Sequence, residues 1–308
     1  MSSKPVISVV IPLFNKAAYV VEAVTSVLAQ RWPALEVVVV DDGSTDDGAE
    51  RVLALDDARV RLVRQANSGV SSARNHGIVL ARGDLVAFLD ADDRHHADYL
   101  ATVAQLVARY PEAGVFCTAY CRVDSHGRRT DVIHPGMKLG ASGLIGDFYG
   151  DWSRSSFACM DSLVVQRSLL TALAVPFPLD ERLGEDQDLW FRLAEAAPIA
   201  FCNRPLADYR VDVAGSATQA HPVADVLPCY RRLAQRLDAR QIPLRLQAGA
   251  RRLLASHLIN LARAQASAGQ FGRAAALLRE PGARGNPLYW LRSSVWLAGV
   301  WLDQRGRQ

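Results

Sequence analysis

The first third of the chain alternates two kinds of hydrophobic pattern. Val6 to Leu13 is a nearly continuous apolar run rich in β-branched residues, as in a strand buried on both faces. From Tyr19 to Gln30, Val20, Val24, Val27 and Leu28 recur at helical spacing. Glu36 to Asp41 reads as a second strand, followed by a helix that Ser44 caps, with Asp47 three residues on. Val60 to Val63, Leu85 to Asp90 and Val115 to Tyr120 read as further strands. Val70 to Leu80, opened by Ser68, and Asp98 to Tyr110 read as helices. Repeated β-α-β-α units predict an α/β fold: a mostly parallel central sheet with helices on both faces.

From about Gly140 to Pro178 the pattern is irregular, with one short strand candidate at Ser162 to Val165. This stretch reads as loops and small strands that shape a pocket. Beyond Pro222 the composition turns to Ala, Leu and Arg. Helices are expected at Val223 to Ala239, Leu244 to Ala268, Phe271 to Arg279 and Leu288 to Leu302. The division predicted is an N-terminal domain over 1–218 and an all-α region over 219–308, with the boundary between Ser216 and Pro228.

Composition narrows the class. Half the residues are hydrophobic and 22% are charged, which excludes disorder as the main state. No uncharged apolar run approaches the roughly 18 residues of a membrane span. The start lacks the pattern of a secretory leader, so a cytoplasmic setting is expected, with the inner membrane face as a possible point of contact. A net charge of +3 is too mild to argue for nucleic acid as a partner. The five cysteines are irregularly spaced and read as buried thiols; a zinc shared by Cys117 and Cys121 lacks a second ligand pair.

In open α/β sheets ligands collect beyond the carboxyl ends of the strands. Those ends carry Phe14-Asn15, Asp41-Asp42-Gly43-Ser44 and Asp90-Ala91-Asp92-Asp93. Helix capping accounts for Ser44 and Asp46 but poorly for Asp90, which directly follows Ala87-Phe88-Leu89. Several carboxylates converging at one rim call for a counter-charge, which a divalent cation with a phosphate ligand supplies. Phe14 can offer its face to a base, Asp42 can accept a base N–H, and Arg74 can reach a phosphate. His95 and His96 stand at a helix entrance and read as exposed. Asp186 lies with Glu185 in the first turn of a helix, and Trp190, four residues on, shares its face. Asp188 reads as a solvated acid.

Five segments in order resemble the inverting family 2 glycosyltransferases of the GT-A fold. They are Ile7 to Asn15, Val40 to Asp46, Gly69 to Gly77 with Ala73-Arg74-Asn75, Phe88 to Asp93, and Gly184-Glu-Asp-Gln-Asp-Leu-Trp190. The resemblance covers roughly residues 5 to 215. It implies transfer of a sugar from a nucleoside-diphosphate donor, a uridine donor being commonest, to a glycan or lipid-linked hydroxyl in cell-surface polysaccharide synthesis. It implies a nucleotide-sugar pocket of Pro12, Phe14, Asp42, Ser44, Arg74, Asp90 and Ala91. Asp90-Ala91-Asp92 looks like the DxD motif, with Asp92 on Mg²⁺ or Mn²⁺, Asp90 towards the ribose, and Asp93 as a capping or supporting residue. Asp186 matches the general base, Glu185 is expected to orient the acceptor or hold the loop, and Trp190 stands on the acceptor side.

One departure stands out. Relatives often carry Tyr-Arg-Val-His where this chain has Tyr209-Arg210-Val211-Asp212. Either Asp212 replaces the histidine as a metal ligand, or it is a loop residue and His221 or solvent takes that place. The Gln-x-x-Arg-Trp motif of processive relatives is absent. The last helix, with Trp290, Trp296 and Trp301 around a Leu/Val stripe and Arg292, Arg305 and Arg307 nearby, suits a membrane surface, neighbouring helices or a second subunit. A sugar nucleotidyltransferase or a non-catalytic nucleotide-sugar-binding protein are the rival classes.

Overall fold

A computed structural model describes residues 5–181, 183–213, 223 and 225–305. His221 and Arg307 lie outside the described residues, as does most of the expected boundary. The structure divides into two compact units, one drawn from 1–146 and 155–219, the other from 147–154 and 220–308.

The first unit is built on a mixed ten-stranded sheet. Its parallel half comprises β1 (Ile7–Leu13), β2 (Glu36–Asp41), β3 (Val60–Arg64) and β4 (Leu85–Phe88), in the order β3-β2-β1-β4. The buried run of β1 pairs in parallel with β2 on one side and β4 on the other, which explains its lack of alternation. Helix α1 (Val20–Leu28) buries Val20, Ala23, Val24 and Val27, the stripe read from spacing. It packs into one core with the Ile7, Val9, Ile11 and Leu13 side of β1 and with Tyr99, Leu100 and Val103 of a later helix, α4 (Tyr99–Arg109). Helix α3 (Val70–Leu80) covers the opposite face, where Ala73 meets Val38 and Val40. Gly77 permits that approach: a Cβ there would stand 2.3 Å from Cγ1 of Val10.

The other half of the sheet departs from the sequence reading. A two-residue strand, β5 (Arg94–His95), precedes α4. The fifth apolar run continues to Val123 as β6 (Val115–Val123), flanked by β7 (Arg129–Val132) and followed by β8 (Ser142–Leu144). The candidate at 162–165 becomes β9 (Leu163–Gln166), and it lies in the middle of the sheet, antiparallel to both β4 and β6. The longest strand, β10 (Ile199–Arg210), is absent from the sequence reading. Asn203, Arg204 and Pro205 interrupt its apolar run. The structure absorbs them as irregularities in the pairing with β6 between Cys202 and Pro205 and between Pro205 and Asp208.

Smaller elements are α2 (Gly48–Leu53), α5 (Phe148–Trp152) and α6 (Arg167–Ala172). Helix α7 runs Glu185–Ala196. Ser44 does not cap α2, which starts four residues later; Gly48 N donates instead to Asp46 Oδ1 at 3.1 Å. Gly69, with φ of 88°, rather than Ser68, precedes the first turn of α3.

The second unit holds α5 with α8 (Pro228–Asp238), α9 (Leu244–Ser267), α10 (Phe271–Arg279) and α11 (Pro287–Arg305). Three of the four long helices follow the sequence reading closely; α8 starts at Pro228, five residues after the expected Val223. Ile259, Ala262 and Ala266 of α9 meet Ala274 and Leu278 of α10, with Trp290 and Trp296 of α11 packed against them.

Candidate active site

The rim of the parallel strands begins with a set of turns closed by side chains. Asn15, in a left-handed conformation, accepts Thr45 N at 2.8 Å on Oδ1, and its own N–H donates to Ser44 Oγ at 3.1 Å. Asp41 Oδ1 accepts Ser44 N at 3.0 Å. Asp42 is buried: Oδ1 accepts Gln65 Nε2 at 2.8 Å and Ser68 N at 2.9 Å, and Oδ2 accepts Gly69 N at 2.8 Å. The carboxylate thus holds the loop that launches α3. Pro12 is buried in β1, whereas Phe14 is 44% exposed and free to present a ring face. Ala91, expected in the pocket, is buried.

Arg74 is the hub. It is buried on α3, and its guanidinium donates from Nη2 to Asp90 Oδ1 at 2.7 Å and from Nη1 to Glu185 Oε1 at 3.1 Å. The guanidinium lies 5.4 Å from the Phe177 ring centroid, and both backbone groups of Phe177 are clamped by Asn75. The charges of Asp90 and Glu185 outweigh burial and hold Arg74 firmly protonated. Two segments far apart in sequence, the end of β4 and the start of α7, are therefore tied at one cation.

Around Asp90 the acids crowd. Ligand atoms of Asp90, Asp93 and Asp161 lie within 4.8 Å of one another, and Asp161 Oδ1 accepts Asp90 N at 2.8 Å. Asp93, expected as a capping or supporting residue, is buried beside Asp90 and accepts Arg210 N at 2.6 Å. Burial foremost, then the neighbouring carboxylates, pushes Asp93 and Asp161 well above the usual carboxylate range. Asp92 stands beside this cluster, paired with Lys16 Nζ at 2.8 Å. Asp212 is exposed, with φ of 65°, and is not part of the three-acid group among the described residues.

Asp186 sits at the N-terminus of α7, after the left-handed Gly184, and retains partial exposure. Burial and the adjacent Glu185 raise its pKa to about 7. Glu185 accepts from Arg74, so one of its carboxylate oxygens is engaged in holding the turn against α3. Trp190 corrects the sequence reading. Its side chain is fully buried with Leu189, Phe191 and Leu193, so it offers no platform to an acceptor. Sharing a helical face with Asp186 puts it one turn deeper, inside the core. Asp188 is likewise buried rather than solvated, and pairs with Arg192 at 2.8 Å. His95 is buried too, its Nε2–H donating to Asp161 O at 2.7 Å, and burial lowers it to about 4.

Two site residues escaped the sequence reading. Lys16, one of only three lysines, directly follows the Phe14-Asn15 rim and was open to notice. Asp161 precedes a strand rather than following one. Because β9 runs antiparallel to β4, its start lies at the same edge as the end of β4. Strand direction is the missing signal.

Residues 8–162, half of the chain, match the family described as Glycosyl transferase family 2. The glycosyltransferase GlyG of Streptococcus pneumoniae serotype 4 is 29% identical over 214 residues, covering 66% of this chain and 70% of its own. An uncharacterized glycosyltransferase of Rickettsia conorii is 29% identical over 209 residues, covering 67% of this chain. The chain spans only a third of that relative's length, and about as little of two other Rickettsia relatives. Among solved structures, Staphylococcus aureus TarS 1-349 in complex with UDP-GlcNAc superimposes with a TM-score of 0.70 at 18% identity, covering 98% of this chain and 92% of that one. The fold expected from the motifs is thus the fold observed. With its signature segments gathered at one sheet edge and half its length matching the family, this chain belongs to glycosyl transferase family 2 and has the GT-A fold.

Proposed function

We propose that the chain transfers a sugar from a uridine diphosphate donor to a hydroxyl of a glycan or lipid-linked acceptor, one residue at a time, with inversion at the anomeric carbon. The observation that carries the reading is the Arg74 bridge, which brings the acidic end of β4 and the Asp186 turn of α7 to one place. Support for the donor comes from TarS, two of whose structures are complexes, one with UDP-GlcNAc and one with UDP. Phe14, exposed at the rim, stacks on the base, and the loop held by Asp42 shapes the nucleoside side.

A single displacement needs a base on the acceptor side and positive charge on the leaving side. Asp186 takes the proton from the attacking hydroxyl. A carboxylate near pH 7 is a better match to that task than an ordinary aspartate, since it is ionised yet more basic. Glu185 and Asp90 keep Arg74 charged at the diphosphate side. The oxygen donors of Asp90, Asp92 and the neighbouring Asp93 and Asp161 suit Mg²⁺ or Mn²⁺. Such a cation, when bound, would neutralise charge growing on the departing diphosphate. Lys16, paired with Asp92 at 2.8 Å, adds a fixed positive charge at the same rim. The setting we propose is cytoplasmic, in the assembly of a surface polysaccharide.

Incubation with a panel of labelled nucleotide sugars, with Mn²⁺ and with chelator, tests the reading. Slow metal-dependent donor hydrolysis that releases UDP is expected. Release or uptake of pyrophosphate would point to a nucleotidyltransferase, and binding with no turnover to a non-catalytic receptor; either overturns the proposal.

A further inference from the structure

Charge is distributed unevenly along the chain. Residues 220–308 hold 14 of the 35 basic residues but only 4 of the 32 acidic ones, a net charge of +10, which leaves −7 for residues 1–219. The mild overall charge conceals a strongly basic helical region.

Within that region α11 is apolar on two sides. Its inner side places Tyr289, Trp290, Trp296 and Leu297 against α9 and α10, with Trp290 Nε1 donating to Leu278 O at 2.8 Å. Its outer side is also apolar: Leu288 is 73% exposed, Leu291 55% and Val295 66%, spaced three and four residues apart. Ala298, Gly299 and Trp301 continue the exposed surface. A helix with apolar residues all round is ordinarily covered. No helix among the described residues is long and apolar enough to cross a membrane.

The charge identifies the cover. Arg292 is exposed beside the stripe, and Arg284, also exposed, lies just before the helix begins. We propose that the outer face of α11 seats on an anionic phospholipid surface. Leu288, Leu291 and Val295 enter the acyl boundary, Trp301 sits at the headgroup level, and the arginines meet the lipid phosphates. A second copy seated on the same face would bring two regions of +10 together, which disfavours it. Nucleic acid would satisfy the arginines but leave the Leu/Val stripe in water.

Co-sedimentation of the 308-residue chain with vesicles tests this, comparing phosphatidylcholine alone with a 7:3 mixture of phosphatidylcholine and phosphatidylglycerol in 0.1 M NaCl. Binding to the mixed vesicles is expected, with little to the neutral ones. Partitioning should fall roughly tenfold in 0.5 M NaCl and about tenfold or more in a Leu291→Asp/Val295→Asp variant. Both replaced side chains face solvent, so the melting temperature should hold; should it drop, Val295→Ser serves instead. Brominated lipid should quench the tryptophan fluorescence of the parent chain more than that of Trp301→Phe. The proposal is overturned by no partitioning on anionic vesicles, by equal partitioning of the double variant, or by a concentration-dependent dimer that the double variant abolishes. Tight binding of single-stranded DNA that Val295→Asp leaves unchanged, with no vesicle binding, would assign the basic region to nucleic acid.

Discussion

Arg74 and Glu185 are 111 positions apart in the chain, yet Nη1 of the arginine lies 3.1 Å from Oε1 of the glutamate. With Asp90 on its other amino group, Arg74 connects the end of β4 to the first turn of α7. Removing it strands two carboxylates in a partly dry rim that holds further acids. Arg74→Ala should lower unfolding stability by about 3–5 kcal/mol, the usual cost of leaving a buried charge without its partner. Arg74→Lys should recover part of it, since one ammonium replaces a fork. Urea denaturation of the three proteins gives the answer; a change under 1 kcal/mol for Arg74→Ala, on the scale of a surface pair, would contradict the role.

Asp186 titrates where the chemistry happens. Burial and Glu185 lift it to about 7, so the carboxylate form required of a base is lost as pH falls through neutrality. Turnover should therefore drop about tenfold per pH unit below that value. Asp186→Asn should lose about 10²–10⁴ of the rate while calorimetry shows donor affinity within a few-fold of the parent. A variant that loses donor binding in equal measure would place Asp186 on the donor side.

The buried acids at Asp90 make stability depend on pH. Asp161 and Asp93 are both raised, Asp161 to about 7, by burial and by neighbouring carboxylates. For a raised carboxylate the stabilising contribution is complete below the ordinary value, about 4, and is lost as pH rises to the folded one. The metal-free protein should melt lower at pH 8 than at pH 5.5, and Mn²⁺ should restore several degrees at pH 8 but few at pH 5.5. Asp161→Asn should flatten the pH difference and shrink the Mn²⁺ effect. Thermal shifts that are identical at the two pH values in the parent protein would refute the account.

Gly77 predicts a packing effect unrelated to charge. A Cβ at this position would meet Val10 Cγ1 at 2.3 Å, and Val10 belongs to a fully buried strand that has little room to yield. Gly77→Ala should cost about 1–3 kcal/mol through overpacking, despite the better helix propensity of alanine. Val10→Ala in the same chain should recover part of that loss, which a double-mutant cycle measures.

Much of this protein was legible from periodicity. Strands buried on both faces announce themselves as apolar runs, and amphipathic helices as stripes, because burial alone sets those patterns; β1, β2, β4 and the C-terminal helices follow. The family motifs were legible for a related reason: Asp42 and Asp90 stand where an apolar pattern stops, and Asp186 where one begins. Three things were not. The sequence carries no mark of strand direction, so Asp161 looked remote from Asp90 until antiparallel β9 placed it there. Helical spacing assigns a face but no depth, and so it put Trp190 beside Asp186 when the core had claimed the ring. Bulges at Pro205 hid β10, because an irregular ladder breaks the alternation by which a strand is read. Sequence thus determined which segments bury apolar surface; only the tertiary structure decided which charges meet, because charge pairing depends on distance through space and leaves no period along the chain.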